Sequence, residues 1–280
     1  MPVTDALGQS FDAAGENARI ASLVPSLTET LIALGLQQQL VARTGFCVHP
    51  RAEVRAIPKV GGTKDVRLDL LRALAPTHVL LNVDENTRET EQALRAFVPH
   101  VIVTHPQTPQ DNLELFALLG AAFGKVPQVA QRAGGLQRAL HGVLDELAVS
   151  RFAPRQMLYL IWREPWMTVA RDTYISRTLA LVGWHTLPDQ QGGSGLHQPG
   201  AERYPQFDWS APWLEAVDGV LLSSEPYRFG AAHVEQVRAL LAPRGLHPEV
   251  RCLPGEWASW YGVRAIDGLR QLAAAARNPA

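Results

Sequence analysis

The chain lacks the features that mark several large classes of protein. None of its apolar runs is long enough to cross a bilayer. Its net charge of −1 provides no basic excess for nucleic acid or an anionic membrane, so neither partner is expected. The opening stretch, MPVTDALGQSFDAAGENA, has neither a basic region nor an apolar core, so it is not a secretory signal peptide. We therefore expect a cytoplasmic protein, or a periplasmic one if a leader is missing from this chain.

Motifs for metals and nucleotides are also scarce. The two cysteines, Cys47 and Cys252, cannot support a disulfide framework, and no CxxC pair completes a zinc site. The stretch KVGGTKD at residues 59–65 lacks P-loop spacing, and no GxGxxG follows a predicted strand, so nucleotide binding has no support. With 46% hydrophobic and 19% charged residues, the sequence instead predicts a globular protein of one or two domains.

A long helical pattern occupies the middle of the chain, from Pro127 to Ser150. Its apolar residues recur at steps of three and four, which places them on one face of an α-helix. Pro127 fits the first turn of such a helix, where its missing N–H group costs nothing. We therefore predict one continuous helix in this region.

The segments on either side of this helix repeat the same order of elements. One opens with RIASLVPSLTETLIALGL and the other with QMLYLIWREPWMTVARDTYISRTLALVGW, and each continues as a strand, a loop and a helix. This alternation predicts an α/β fold of two Rossmann-like lobes with mostly parallel sheets, bridged by one long α-helix. The predicted boundaries are an N-terminal tail at 1–18, a first lobe at 19–126, the connecting helix at 127–150 and a second lobe at 151–280.

Polar residues follow the predicted strands of the first lobe, at the edge where parallel sheets gather ligands. Ser26 or Thr28 can cap the helix Glu29–Leu34, whose N-terminal N–H groups suit polar ligand atoms, although an ordinary strand–helix turn explains it equally well. Glu85 and Asn86 end a buried-type strand. Cys47 and His49 have the spacing of two ligands for a soft metal, or else belong to a turn. The identity of any metal is unknown, and His49 is the best candidate ligand.

The corresponding loop of the second lobe, residues 163–168, is rich in aromatic side chains. In one interpretation Trp162 belongs to the core and Trp166 caps the lobe. In the other, Trp166 forms a large flat surface for a ring system, supported by Arg163. If the two lobes face each other, the loops at their strand ends line a cleft, which is the default binding site.

Seven stretches of the chain, taken in order, resemble one known family. They are RIASLVPSLTETLIALGL, VGGTKD, PTHVLLNVDEN, IWREPWMT, ERYP, LLSSEPYRF and GEWASWYG, and they span about residues 19–275. The chain resembles the helical-backbone substrate-binding proteins, the periplasmic-type family that includes the vitamin B12-binding protein BtuF. The resemblance implies two α/β lobes bridged by a rigid helix.

The resemblance also implies a function. Members of this family bind a corrinoid, haem or another metal chelate between the lobes and deliver it to an ABC importer. We therefore expect a monomeric binding protein with no enzymatic activity and no required cofactor, whose partners are this ligand and an ABC transporter permease. Glu89 and Glu215 are the candidates for docking on the transporter.

Motif position extends the resemblance to individual residues. Phe46 takes the place of an aromatic residue that faces the ligand, and Trp166 lies in the equivalent loop of the second lobe. The loop Glu256–Tyr261 lies with Glu225 on the opposite wall. The full set of candidate ligand-binding residues is Pro25, Ser26, Phe46, Cys47, His49, Glu85, Asn86, Arg163, Trp166, Ser224, Glu225, Tyr227, Glu256, Trp260 and Tyr261.

Two other interpretations compete with a carrier for a ring-shaped ligand. A cytoplasmic enzyme or cofactor-handling accessory protein on the same fold would use Cys47, His49, Glu85 and Glu225. A carrier for a free metal ion would use histidines on the cleft loops, of which His49 is the best placed.

Overall fold

The structure is a computed structural model that describes residues 3–193 and 202–277. The glycine-rich stretch at residues 190–200, which the sequence predicts to be a flexible insertion, lies outside the described residues from residue 194 onward. The chain divides into two compact units. The first unit contains the described residues up to Pro106, Gln110–Gly142 and Tyr261–Arg264, and the second contains Gln107–Pro109, those from Val143 to Trp260 and those from Ala265 onward.

A sheet of four parallel strands forms the centre of the first unit. Its strands are β1 (Ile20–Ser22), β2 (Leu40–Arg43), β3 (His78–Asn82) and β4 (His100–Thr104). They are arranged in the order β2–β1–β3–β4, and every neighbouring pair is parallel. All residues of β1 and β3 are buried, as expected for a parallel sheet covered by helices on both faces.

The second unit repeats this arrangement. Its strands are β5 (Arg155–Leu160), β6 (Trp184–Thr186), β7 (Gly219–Ser223) and β8 (Glu249–Leu253). They are parallel and ordered β6–β5–β7–β8, which is the order of the first sheet carried over strand by strand. The predicted fold of two α/β lobes with parallel sheets is therefore confirmed.

Helices connect the strands and cover the sheets. The predicted long helix is one continuous element whose residues up to Gly142 belong to the first unit and those from Val143 to the second. The boundaries predicted from the sequence for a tail, two lobes and a connecting helix remain a proposal. The helices are α1 (Pro25–Ala33), α2 (Arg51–Val54), α3 (Leu68–Ala73), α4 (Arg88–Arg95), α5 (Asn112–Ala122), α6 (Val129–Val149), α7 (Tyr174–Ala180), α8 (Ala231–Leu241), α9 (Glu256–Ser259) and α10 (Val263–Arg277).

The segment before β1 lies against the edge of the first sheet. The buried carboxylate of Asp5 accepts hydrogen bonds from the backbone N–H of Leu7 and of Gln9, both at 2.9 Å. It also accepts one from the N–H of Val103 in the edge strand β4, at 3.0 Å. These bonds satisfy an edge donor that would otherwise be open to pairing with another chain.

Both sheets share a topological feature that positions ligands. The chain moves from the first strand of each sheet to one side and then crosses to the other, so the loops after β1 and β3 diverge, as do those after β5 and β7. Crevices of this kind at the carboxyl ends of parallel strands are the usual ligand sites of α/β folds. No helix in the described part of the chain has the length and apolarity to span a membrane.

Candidate ligand-binding site

In the first unit, α1 begins directly after β1, and Pro25 occupies its first turn. No side chain caps this helix end, so the predicted cap by Ser26 or Thr28 is wrong: the helix begins earlier, and both residues lie inside it. Ser26 is buried and lies beside the buried Tyr261, from the segment that precedes α10. Burial raises the pKa of Tyr261 well above its ordinary value, and the charge of Glu85 adds to this effect, whereas the neighbouring hydroxyl groups of Ser26 and Thr104 oppose it. The phenol therefore stays protonated at the crevice of the first sheet.

Asn86 holds three segments of this crevice together. Its side-chain N–H groups donate to the carbonyl oxygens of Thr63, at 2.9 Å, and Leu23, at 3.3 Å. Its side-chain oxygen accepts a hydrogen bond from the N–H of Asn82 at the end of β3, at 2.9 Å. The amide is buried, and both its N–H groups and its oxygen are engaged in hydrogen bonds. Its role is therefore to join the loops after β1 and β3.

Charged groups surround this braced loop. Lys64 donates from Nζ to the carbonyl oxygen of Asp84 at 2.8 Å. Burial lowers the pKa of Lys64, while the negative charges of Glu85 and Asp84 oppose that shift. The Oδ2 atom of Asp84 lies 3.7 Å from Nε2 of His105. The crevice of the first unit thus combines acidic and basic groups within a short distance of Ser26 and Tyr261.

An exposed aromatic ring lies in the loop after β2. Phe46 is 64% exposed, and a Cβ atom added at Gly62 would lie 3.2 Å from the ring, so the two are neighbours. Cys47, the next residue, points inward instead, with Sγ 3.1 Å from Oγ1 of Thr44. Burial raises the pKa of the Cys47 thiol. His49 is partly buried in the same loop. Of these three candidate residues, Phe46 is the most exposed, His49 is partly accessible and Cys47 is buried.

The second unit presents an exposed tryptophan at the equivalent edge. Trp162 follows β5 and is 40% exposed, with its ring edge-on to Tyr227 at a centroid distance of 5.7 Å. Its carbonyl oxygen accepts a hydrogen bond from the N–H of Met167 at 3.1 Å, which closes the turn. Within that turn, Nη2 of Arg163 lies 2.9 Å from Oε1 of Glu164. The sequence-based assignment of Trp162 to the core is therefore wrong in one respect, since much of its ring faces solvent.

Trp166 packs into a cluster of aromatic side chains. Its ring stacks on Phe229 at 6.1 Å and meets Trp209 edge-on at 5.2 Å. The side chain is partly buried against the hydrophobic core of the second unit. This packing is the arrangement expected if Trp166 caps the lobe, and a direct contact with ligand remains a prediction.

Glu225 joins the loops that form the second crevice through hydrogen bonds, a role called a brace below. Its Oε1 atom accepts hydrogen bonds from Oγ of Ser259 at 2.6 Å and from Nε1 of Trp260 at 2.7 Å. A Cβ atom on Gly255 would lie 2.6 Å from Cγ of Glu225, so the close approach of the two loops requires glycine there. The hydroxyl of Ser224 accepts a hydrogen bond from the N–H of Gly255 at 2.9 Å.

The remaining candidates of the second unit lie beside this brace. The hydroxyl of Tyr227 is 3.2 Å from Nε2 of His233, and Glu256 is partly buried at the start of α9. Sequence reasoning missed Lys64, His105 and the exposure of Trp162. Lys64 lies in the KVGGTKD stretch, but its partners Asp84 and Glu85 lie in the loop after β3, which the sequence alone does not bring near it. Within residues 3–193 and 202–277, no group of three or more histidine, cysteine, aspartate or glutamate side chains is arranged to hold a metal ion.

Two α/β units with one strand order, each with polar and aromatic loops at its crevice, define the class of two-lobed α/β ligand-binding proteins. The family described as Periplasmic binding protein matches residues 20–213, well over half of the chain. The chain therefore belongs to this family.

Comparison with individual proteins gives the same result. YvrC of Bacillus subtilis, described as an uncharacterized ABC transporter substrate-binding lipoprotein, is 23% identical over 279 residues, 97% of this chain and 84% of its own. The vitamin B12-binding protein of Photorhabdus laumondii subsp. laumondii is 21% identical, over 91% of this chain and 86% of its own. Two solved structures share the fold with a TM-score of 0.71 each. They are BtuF of Vibrio cholerae, with 17% identity over 92% of this chain and 96% of its own, and the periplasmic heme-binding protein RhuT of Roseiflexus sp. RS-1, with 21% identity over 92% and 97%.

Family membership decides between the interpretations of the sequence. The resemblance to BtuF-like substrate-binding proteins is confirmed, and so is the expectation of a ligand carrier rather than an enzyme. The alternative of a cytoplasmic enzyme on the same fold is not favoured. Proteins of this class carry their ligands and do not depend on a resident cofactor.

Proposed function

We propose that this protein binds a flat, metal-containing ring ligand, a corrinoid or haem, and presents it to an ABC importer. The observation that carries the proposal is an exposed aromatic ring at the crevice edge of each sheet, Phe46 in the first unit and Trp162 in the second. Exposed aromatic area is unfavourable in water and becomes favourable when a flat apolar ligand covers it. Relatives named for vitamin B12 and structural neighbours named for heme support the same ligand class.

The candidate residues divide into two roles under this proposal. The contact group collects the exposed and partly exposed side chains. The shaping group collects the buried side chains, together with Trp166, which packs in the aromatic cluster, and Glu225, which joins the loops of the second crevice. The contact group is Phe46, His49, Glu85, Arg163, Ser224, Tyr227 and Glu256, to which we add Trp162. The shaping group is Pro25, Ser26, Cys47, Asn86, Trp166, Glu225, Trp260 and Tyr261.

The partner and the compartment follow from the same proposal. An importer receives its ligand on the outer side of the membrane, so we propose that the protein acts there as a monomer and meets its permease there. Glu89 in the first turn of α4 and Glu215, whose carboxylate lies 3.3 Å from Nη2 of Arg244, are the candidate docking residues. Fractionation of cells that express the native locus tests the compartment, and recovery in the cytoplasm would contradict it.

Ligand titration tests the proposed function directly. Cyanocobalamin, haemin and a divalent metal salt are added separately to the purified protein, and binding is followed by quenching of tryptophan fluorescence. We expect one of the two macrocycles to bind and the metal salt alone to leave the signal unchanged. Quenching by the metal salt alone would favour a free-ion carrier instead.

Two tryptophan variants and one valine variant show which side chains contact the ligand. Trp162→Ala should weaken macrocycle binding by about 1–2 kcal/mol, because the ligand loses apolar contact area while the exposed ring adds little to the fold. Trp166→Ala should instead lower the free energy of unfolding by about 2–3 kcal/mol, since it removes a ring from a packed cluster. Val149→Ala, at the exposed end of α6, is the matched control and should change neither quantity. A Trp166→Ala protein of normal stability that no longer binds would move Trp166 into the contact group.

A further inference from the structure

The turn that follows β5 is closed at its base and charged at its tip. The N–H of Ile161 donates to the carbonyl oxygen of Met167 at 3.1 Å, and the N–H of Met167 donates to the carbonyl oxygen of Trp162 at 3.1 Å. At the tip, Glu164 has a φ of 64°, in the left-handed region that residues with side chains rarely adopt. A backbone in this region persists where its surroundings hold it, and such residues are frequent at ligand sites.

This backbone conformation places two opposite charges side by side. Nη2 of Arg163 lies 2.9 Å from Oε1 of Glu164, and the side chains are 30% and 77% exposed, respectively. Ion pairs this open to solvent contribute little to stability, because water and salt screen them. The Glu164 carboxylate can therefore leave the guanidinium without loss of the fold. Arg163 itself is less exposed and follows the exposed ring of Trp162 directly in the chain.

We propose that Arg163 and Glu164 together set the preference of this site for acidic over neutral ring ligands. The inference rests on the proposed function and names the residues that select within it. A ring that lies on Trp162 and carries carboxylates at its rim brings one of them to the Arg163 guanidinium. That carboxylate replaces Glu164 and gains the two parallel hydrogen bonds that arginine offers to carboxylates. A ring that carries only neutral amides or esters gains no such bond.

In this arrangement the two residues act in opposite directions on the same ligand. Arg163 strengthens the binding of an acidic ring, and Glu164 weakens it by competing for the guanidinium. Neither residue affects a neutral ring of the same shape to a comparable extent. The ratio of the two affinities therefore isolates their role from any general effect on the turn.

Haemin and its dimethyl ester are suitable probes, because they share one ring and differ in their carboxylates. Affinities for both, and for cyanocobalamin, are measured by fluorescence quenching with Glu164→Gln, Arg163→Gln and wild-type protein. Glu235→Gln is the matched control, since Glu235 pairs with Arg238 on α8 at 2.7 Å and is 72% exposed, so the same charge is removed from a similar pair. Thermal unfolding of each variant verifies that the fold is intact.

We expect Glu164→Gln to bind haemin about two- to fivefold more tightly, which corresponds to the strength of an exposed ion pair. Arg163→Gln should bind haemin about tenfold more weakly, as expected for the loss of charge-assisted hydrogen bonds. The ester and cyanocobalamin should change by less than about twofold in both variants, and Glu235→Gln should match wild type.

Three results would overturn the inference. One is an unchanged ratio of haemin to ester affinity in Glu164→Gln, including the case in which neither protein binds haemin. Another is equal weakening of haemin and ester in Arg163→Gln, which would make Arg163 a general part of the surface. If the wild-type protein binds none of the three macrocycles, the proposed function fails, and the selectivity assigned to Arg163 and Glu164 fails with it.

Discussion

The two units arrange the same strand order around different kinds of crevice. In the first unit a neutral amide, Asn86, joins the loops, and hydroxyl groups such as Ser26 line the space between them. In the second unit a carboxylate, Glu225, joins the loops, and the nearby Trp166 ring stacks on Phe229 and packs against the hydrophobic core. Shared topology therefore fixes where each crevice lies, while the loop residues decide its chemistry.

The opposite edges of the sheets differ in a similar way. Where β3 and β4 begin, His78 and His100 are paired in register and their rings stack at 4.6 Å. At the equivalent register of the second sheet, Gly219 pairs with Glu249, whose carboxylate binds Nη1 of Arg155 at 2.8 Å. One unit thus has a pair of stacked rings at its amino edge and the other has an ion pair.

The largest expected effect is on the free energy of unfolding, and it distinguishes two glycines whose backbone lies in the left-handed region. Gly262 in the first unit has a φ of 74°, and a Cβ atom there would lie 2.0 Å from Oγ1 of Thr30. Gly245 in the second unit has a φ of 71° with no atom within 4 Å of such a Cβ. Gly262→Ala should therefore lower the free energy of unfolding by about 3–5 kcal/mol, and Gly245→Ala by about 1 kcal/mol.

Urea unfolding of both variants measures their free energies of unfolding and so separates the cost of backbone strain from the cost of a steric clash. The two glycines share a backbone conformation, so the excess in Gly262→Ala reports the clash with Thr30. Thr30 has little room to move, because its Oγ1 donates to the carbonyl oxygen of Ser26 at 2.7 Å and accepts from the N–H of Val263 at 3.1 Å. Equal destabilisation of the two variants would show that this segment relaxes freely around α1.

Much of the fold could be predicted from local pattern. Apolar runs predicted the strands that open each lobe, and the 3.6-residue period predicted α6. Strand β6 (Trp184–Thr186) was missed. It has three residues, contains a histidine and follows Gly183 directly, so it carries no alternation long enough to register as a strand.

The site was harder to predict, because its side chains meet across long sequence separations. Trp162 and Trp166 look alike in the sequence, and only the positions of Phe229 and Trp209 show that Trp166 is packed while Trp162 is open. Glu225 likewise looks like a ligand contact until Ser259 and Trp260 are seen to donate to it. Chain order identifies the loops that form a crevice, and tertiary packing decides which side chains remain available.

A smaller effect is expected from the histidine pair at the amino edge of the first sheet. Burial, with a further contribution from His100, lowers the pKa of His78 from 6.5 to about 4. Its Nδ1 atom lies 2.8 Å from Oγ1 of Thr77, and its ring meets Phe123 edge-on at 5.2 Å. The folded state thus favours neutral His78, whereas the unfolded chain takes up a proton near pH 6.5. Stability from this group is complete above about pH 6.5 and is lost as the pH falls towards 4.

The expected loss is about 1–3 kcal/mol, at most the free energy that corresponds to a fall in pKa from 6.5 to about 4. Urea unfolding at several pH values between 7 and 4 measures it. His78→Phe, which preserves the ring packing and cannot take up a proton, should flatten the pH dependence in this range. An identical slope in the variant would assign the acid sensitivity to another group, with the Arg155–Glu249 pair of the second sheet as the next residues to vary.

The smallest expected effect comes from giving the second crevice the kind of brace that the first one has. Glu225→Gln replaces the carboxylate with a neutral amide, as in Asn86, and keeps an oxygen that can accept from Ser259 and Trp260. The hydrogen bonds remain but lose their charge-assisted strength, so the free energy of unfolding should fall by about 0.5–1 kcal/mol. Glu225→Ala is the control, and it should cost about 2–3 kcal/mol because it removes the acceptor of Nε1 of the buried Trp260, whereas Oγ of Ser259 can still donate to the carbonyl oxygen of Gly255.

Ligand affinity, measured on the same preparations, separates a brace from a contact. If Glu225 acts through Ser259 and Trp260, Glu225→Gln keeps the loops in place and should change macrocycle affinity by less than about threefold, in line with its small cost in stability. A Glu225→Gln protein of unchanged stability that has lost its affinity would instead show that the carboxylate touches the ligand itself.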